Sequence, residues 1–399
     1  MTATASSGAA RTGVLAVARR EVGRILSRPI YPMLMLVLPV LSFVVLWAIF
    51  RSQVPSGLPV AVLDSDHSGL SRRLVRMIDA TRTMRVAFEI SSLGEGEDLV
   101  RRGDAYALIV VPADLERDVR RGEAPKVVCH YNAQLLLPAS MIRRDLKGVV
   151  GTLSAGIELR LREARGEPPS AAMDHLEPVR VERHTLFNPE LSYVTFLLTA
   201  LLPTMLQIFV LMTAVLAFGS ELRDGTAREW LDSAGGTVLR AAAGKLLPHT
   251  VHFSLLSIAM LAWLFGLLRI PAQGSLALVV AGTVLFVTAV EAVAVLLVAA
   301  FVSLRMSSSA AAFLSGPAFA FCGITFPTIA MPPFGRAWGA LIPLTHYLRL
   351  LLEQSIRGAP AAASVPEVVA LTGFSLLLPA VSLWRLGALA RDERFWRRA

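Results

Sequence analysis

Three groups of residues carry the types from which chemistry is made. Asp64, Asp66 and His67 stand in the string Asp-Ser-Asp-His-Ser-Gly, two carboxylates and an imidazole at a spacing that suits a site. The same string is ordinary turn chemistry, in which short polar side chains bond their own backbone, and that reading is favoured. His249 and His252 lie three apart and can share one helix face as metal ligands, but no third ligand accompanies them, so no metal centre is expected. Glu291 is a carboxylate inside a long apolar run, with Gln207 a weaker companion in another. A charge at the centre of a bilayer costs about 2.5–3.5 kcal/mol on insertion scales. Glu291 is therefore expected to face a wet interior or a subunit interface, or else to sit protonated among local hydrogen bonds.

The absences are informative. There is no glycine-rich phosphate loop: Gly236 and Gly244-Lys245 are wrongly spaced, and no hydroxyl residue follows the lysine. HExxH and CxxC are missing as well. Cys129 and Cys322, one in a polar stretch and one in an apolar run, imply no disulfide framework. No catalytic constellation emerges, so the chain is not expected to be an enzyme or to bind a cofactor itself. What stands out instead is 218–231, FGSELRDGTAREWL, a charged string directly after an apolar run. Glu221, Arg223, Asp224, Gly225, Thr226, Arg228 and Glu229 can receive a soluble partner there; a plain solvated loop would look the same.

The elements that must position these residues are set by hydropathy. The chain has 399 residues, 54% hydrophobic and 17% charged, and a mean hydropathy of +0.57. Soluble proteins carry roughly 25% charged residues. The long uncharged runs predict six membrane helices, at 30–50, 192–218, 246–268, 275–303, 310–329 and 368–386. The first, about 21 residues, rises about 31 Å, the thickness of the hydrocarbon layer, and Pro39 is expected to kink it. It is read as a retained anchor. The net charge of +9 sits beside the outermost runs, in Arg11, Arg19, Arg20, Arg24 and Arg28 and in Arg385, Arg391, Arg394, Arg397 and Arg398. That distribution predicts both termini on the cytoplasmic side. No basic stripe with interleaved aromatics suggests nucleic acid.

The expected organisation follows. Residues 1–29 form a cytoplasmic N-terminus, polar and disordered at first and then an amphipathic helix over 14–27 lying on the inner membrane surface. Residues 30–50 are the first membrane helix, and 51–190 an extracytoplasmic domain. Five more membrane helices occupy 191–389, with a cytoplasmic loop at 219–245 and an outer segment at 330–366. Residues 390–399 are a basic cytoplasmic tail. In 51–190, strands at 59–63, 84–90, 105–111, 126–131 and 179–184 alternate with helices at 71–81, ending at 102, at 114–121 and at 138–165, with Ser71 as an N-cap. The fold class is therefore an all-α six-helix transmembrane domain with an inserted α/β (α+β) extracytoplasmic domain. In the outer segment, 345–357 sets Leu348, Leu351, Leu352 and Ile356 against His346, Arg349, Glu353 and Arg357, a helix at the outer interface or shallowly re-entrant.

At this point the sequence resembles a known family. Glu221, Asp224, Gly225 and Thr226 match the cytoplasmic loop that opens a coupling helix in the permease subunits of ABC-2-type exporters. The position two after the threonine, usually acidic there, is Arg228, and Glu229 follows. TFPTIAMPPFGRAWGALIPLTHYLRLLLEQSIRG at 325–358 is similar to the segment between the family's last two spans. VAVLDSDHSGLSRRLV and VRRGDAYALIVVPADLERDVRRGEAPKVVCHYNA resemble its extracytoplasmic domain, and Arg20, Glu21 and Arg28-Pro29 resemble its leading helix. The resemblance extends over essentially the whole chain after its first dozen residues, with these motifs in the family's order.

The resemblance implies a permease of an ATP-driven exporter in the inner (plasma) membrane. A separate ABC ATPase subunit would bind ATP and magnesium. A second copy or a sister permease would complete the path, and a periplasmic adaptor stays open as a further partner. Pro343, Thr345, Tyr347, Arg349 and Glu353 would then belong to a helix that gates the exit. A different class remains: a membrane receptor or scaffold that uses its outer domain to bind partners and transports nothing.

Overall fold

A computed structural model describes residues 12–51, 54–166 and 186–397. The chain divides into two compact units, Met1–Arg51 with Tyr193–Ala399, and Ser52–Ser192. The structure is mostly helical, with, among the described residues, five helices long and apolar enough to cross a membrane and one small mixed sheet. The expected strand at 179–184, and most of the polar stretch before residue 14, lie outside the described residues.

The first unit opens with α1 (Val14–Ser27), amphipathic as expected. It does not lie free: Val17 and Glu21 are buried. α2 (Ile30–Phe50) spans 21 residues with a mean hydropathy of 2.7. Its turn Met33–Val37 is widened into a π-helix just ahead of Pro39. Proline has no N–H to close the ladder at that point, and a local widening is one way a helix absorbs the gap.

The second unit is an α/β layer structure. Its elements are β1 (Leu58–Asp64), α3 (Gly69–Asp79), β2 (Met84–Glu89), α4 (Leu93–Arg102), β3 (Ala107–Val111), α5 (Leu115–Arg120), β4 (Val128–Tyr131) and α6 (Leu136–Ala164). The sheet runs β2-β1-β3-β4, with β1 parallel to both neighbours and β4 antiparallel to β3. β1 and β3 are continuous apolar runs because both faces are covered. Val60, Val62, Ile109 and Val111 pack with Leu74, Ile78, Ile142 and Leu146, while Ala61 and Leu108 pack with Leu99. Ser68, not Ser71, caps α3, accepting the Ser71 N–H at 3.1 Å. The hydroxyl of Ser71 instead donates to Asp64 at 2.7 Å.

The first unit resumes with α7 (Val194–Asp224), α8 (Ala227–Ser233), α9 (Val238–Leu267), α10 (Leu276–Phe301), α11 (Leu304–Ser315), α12 (Ala318–Phe321), α13 (Pro333–Ala340), α14 (Pro343–Gln354) and α15 (Ala361–Arg391). α10 is central, packed against α15, α7, α14 and α9. α7 and α10 are mostly buried, whereas α2 and α15 show most of their apolar surface, the pattern of peripheral helices that meet lipid.

Three expectations change here. The run at 310–329 is not one helix. Gly316 and Pro317 interrupt it, because Pro317 supplies no N–H and its ring crowds the preceding turn. α11 alone, 12 residues long, rises about 18 Å, short of the roughly 30 Å hydrocarbon layer. The loop expected at 219–245 is almost entirely helical as well: the end of α7, the whole of α8 and the start of α9. α14 keeps its predicted place in the sequence but is buried in the bundle rather than resting on its surface, with Leu344, Tyr347, Leu348, Leu350 and Leu351 all at 0% exposure.

Candidate functional site

Three short stretches of charge, far apart in sequence, meet at one end of the helical bundle. On α1, Arg20 and Arg24 lie four apart and so share a face, with Glu21 beside them, and Arg28 follows directly after the helix. The last turn of α7 brings Glu221 and Asp224, and the first half of α9 brings Lys245 and His249, again four apart. α1 lies close along α9 because Gly244 has no side chain: a Cβ there would stand 2.5 Å from the Val14 carbonyl oxygen.

The Glu221 carboxylate is the hub. Arg20 grips it with two bonds, at 2.6 and 3.1 Å. Arg24 and the Thr226 hydroxyl also donate to it, and Lys245 Nζ lies 2.8 Å away. Lys245 is shared with Glu21 at 2.5 Å, and Glu21 in turn accepts from His249 Nε2 at 3.1 Å. Arg28 closes the outer side on Asp224 at 2.8 Å. Glu221 and Lys245 are fully buried and Glu21 nearly so. Buried charges are tolerated only when paired and hydrogen-bonded, and here each is. Burial alone would push the Glu21 carboxyl up, but Lys245 and His249 outweigh it and hold the group below its ordinary value. Burial likewise opposes the Arg20 guanidinium, and Glu221 more than offsets that.

The chain turns sharply at Gly225, whose φ of 73° is left-handed and free of strain only for glycine. The next N–H, of Thr226, returns to the Glu221 carbonyl at 3.0 Å and ends α7. α8 follows, clamped by Trp230. The indole donates to the Ala241 carbonyl at 3.1 Å, meets Phe218 edge-on and lies under Lys245 Nζ. Ala227, Trp230 and Leu231 are buried, while Arg228 and Glu229 point outward and Arg223 is exposed beside them. The C-terminal end joins the same place: the Arg397 N–H donates to the Leu222 carbonyl at 2.9 Å, and Arg391 reaches the Gly236 carbonyl.

Other predicted residues fall elsewhere. Glu291 is buried between helices, accepting from Thr250 of α9 at 2.6 Å, and its second oxygen has no partner. Gln207 is buried on α7, its Oε1 unpaired. His249 and His252 do not converge on a metal. His252 Nε2 donates to the Met35 carbonyl at 2.9 Å, the oxygen that Pro39, four residues on and without an N–H, leaves unserved. Among the described residues no cluster of three or more metal-ligating side chains occurs. Asp64 accepts the N–H groups of Asp66 and His67, which is turn chemistry. In the segment at 330–366 Pro343 is the first residue of α14 and Thr345 is buried. Tyr347 stacks on Phe286 and bonds Thr283 at 2.9 Å. Arg349 reaches Glu367 at 3.5 Å, and Glu353 accepts from Ser364.

Sequence reasoning passed over Lys245 and His249 as parts of a hub. It weighed Lys245 as a phosphate-loop residue and His249 as a metal ligand, not as partners of Glu21. The available signal was Glu21 itself, a single carboxylate set among the arginines of a short amphipathic helix.

The family whose description reads ABC-2 family transporter protein matches residues 32–384. The match includes Glu221, α8 and Lys245 but begins after the α1 residues that bind them. No curated protein matches the chain.

Proposed function

Because the chain belongs to the ABC-2 transporter family, we propose that it is the membrane half of an ATP-driven exporter, forming the path as a pair of identical or sister permeases. A separate ABC ATPase subunit binds ATP and magnesium and supplies the energy; this chain needs no cofactor of its own. The chain is a multi-pass membrane protein and an ABC-2-type permease.

The observation that carries the proposal is the ion network around Glu221. It fastens α8, through Thr226 and the turn at Gly225, to α1, α7 and α9 at once. A push on the exposed side of α8 is passed to two membrane helices rather than absorbed by a loose loop. The ATPase docks on that side, against Arg223, Arg228 and Glu229.

The topology follows from the same end of the bundle. α1 and the chain's C-terminal end both reach the last turn of α7, which favours an even number of crossings. The interrupted stretch from α11 to α14 supplies the sixth. The basic flanks put this end in the cytoplasm of a cell bounded by its inner (plasma) membrane. The Ser52–Ser192 unit is then extracytoplasmic and offers the surface on which a periplasmic adaptor would bind.

The test is co-purification. The full chain, expressed with a candidate ABC ATPase subunit from the same cell, should retain that subunit through affinity purification, and alone should hydrolyse no ATP. Loss of the ATPase from the wild-type chain under mild detergent, with no transport in vesicles containing both, would overturn the proposal.

A further inference from the structure

A second cluster of charge lies in the segment from α12 to α14, and the ion network does not touch it. A cavity of about 250 Å³ is lined by Phe321, Thr328 and Ile329 together with Arg336, Thr345 and Arg349. That volume far exceeds the roughly 30 Å³ share of one water. Arg336 is exposed, and among the described residues its guanidinium makes no ion pair or hydrogen bond. Arg349 is half-exposed and reaches one carboxylate oxygen of Glu367 at 3.5 Å, while the other oxygen is held by His346 at 2.5 Å. Arg349 and the His346 imidazole thus share a single carboxylate, and the Arg336 guanidinium has none. The Thr345 hydroxyl is 2% exposed as a residue, and its oxygen has no hydrogen-bond partner. A buried hydroxyl left unbonded is a cost that a bound acceptor would remove.

The surroundings bear on the shape of the ligand. Ile329, which lines the cavity, is 88% exposed and Phe334, two residues before Arg336, is 71% exposed, and α14 packs into the apolar bundle against α10. A guanidinium in such a setting is costly without an anion, and its planar fork matches the two oxygens of a carboxylate or phosphate. The exposed apolar side chains would cover an attached hydrocarbon body.

We propose that this cavity binds the anionic head, phosphate or carboxylate, of an amphiphile, with Arg336 and Arg349 holding its oxygens and Thr345 donating a hydrogen bond. The inference is separate from the ATPase reading, since binding is measured on the chain alone.

The experiment follows thermal unfolding of the purified full chain in a neutral detergent by the fluorescence of its six tryptophans. Three probes are titrated: short-chain phosphatidylglycerol, short-chain phosphatidylcholine and inorganic phosphate. Phosphatidylglycerol should raise the midpoint by mass action and phosphatidylcholine should do so far less. In Arg336→Gln the apparent affinity for phosphatidylglycerol should fall about tenfold, with Arg336→Lys recovering part of it. Thr345→Val should bind more weakly too, while its unliganded midpoint does not fall, because it removes an unbonded hydroxyl. Inorganic phosphate acting at similar concentration would support the site and make a free anion its ligand; a response to the lipid alone would support it with a headgroup as ligand. Equal phosphatidylglycerol responses in wild type, Arg336→Gln and Thr345→Val would overturn the proposal, as would equal responses to the two lipids.

Discussion

The ammonium of Lys245 lies 2.8 Å from the carboxylate of Glu221, with both side chains wholly out of contact with solvent. The pair joins α9 to α7, and through Glu21 the same ammonium joins both to α1. Removing one member leaves the others buried and uncompensated.

Lys245→Met should therefore cost about 3–5 kcal/mol, the range found when one partner of a buried pair is lost. Adding Glu21→Gln should recover part of that cost, because one orphaned carboxylate is neutralised. A double-mutant cycle on denaturation of the purified chain reads the coupling; strictly additive losses would contradict a shared ammonium.

Acid should release α1. Against its burial, Glu21 is held by Lys245 and His249 below its ordinary value of 4.5. A carboxyl with a lowered folded pKa stabilises fully above its unfolded value and loses that contribution as pH falls through the folded one. Hydrogen-exchange protection of α1 should thus hold from pH 7 to about 5 and drop only below the ordinary carboxylate range, and Glu21→Gln should flatten the acid limb. A wild-type drop near neutrality that Glu21→Gln abolishes would refute the assignment.

Docking should read the outward side of α8. Arg228→Glu and Glu229→Arg, both at exposed positions, should cut retention of the ATPase several-fold while moving stability by no more than about 0.5 kcal/mol. Reversal at Glu221 would instead disturb the fold and say nothing about docking. In a receptor or scaffold the α8 changes would be harmless.

The His252 bond to the Met35 carbonyl predicts a compensation. His252→Leu should cost about 1–3 kcal/mol by leaving that oxygen unserved. In a Pro39→Ala background, where the helix regains its own N–H, the same change should cost clearly less. Thermal midpoints of the four proteins decide it, and an unchanged penalty in both backgrounds would exclude the role.

The uncharged runs were legible because their ends are marked by charge. α2 matches its reading at both ends, set by Arg28-Pro29 and Arg51. The break at Gly316-Pro317 was hidden because hydropathy averages across two residues that the backbone cannot ignore. The stretch at 219–245 was misread for a different reason. Polar side chains there suggested water, yet Glu221 and Lys245 satisfy each other inside the protein, and sequence spacing gives no sign that a third partner waits on α1. The amphipathic pattern of 345–357 identified a helix but not its depth, because α14 buries Thr345 and Tyr347 together with its leucines.

The ties between α1 and α9 also impose an order on biogenesis. Glu21 is made early, yet the ammonium it needs is residue 245, and Glu221 comes only shortly before it. Until the ribosome has delivered Glu221 and Asp224, the arginines of α1 lack these partners and must wait in water or among headgroups, and Glu21 waits longer, for Lys245. α1 thus docks late, and truncation before residue 221 leaves it without these ties.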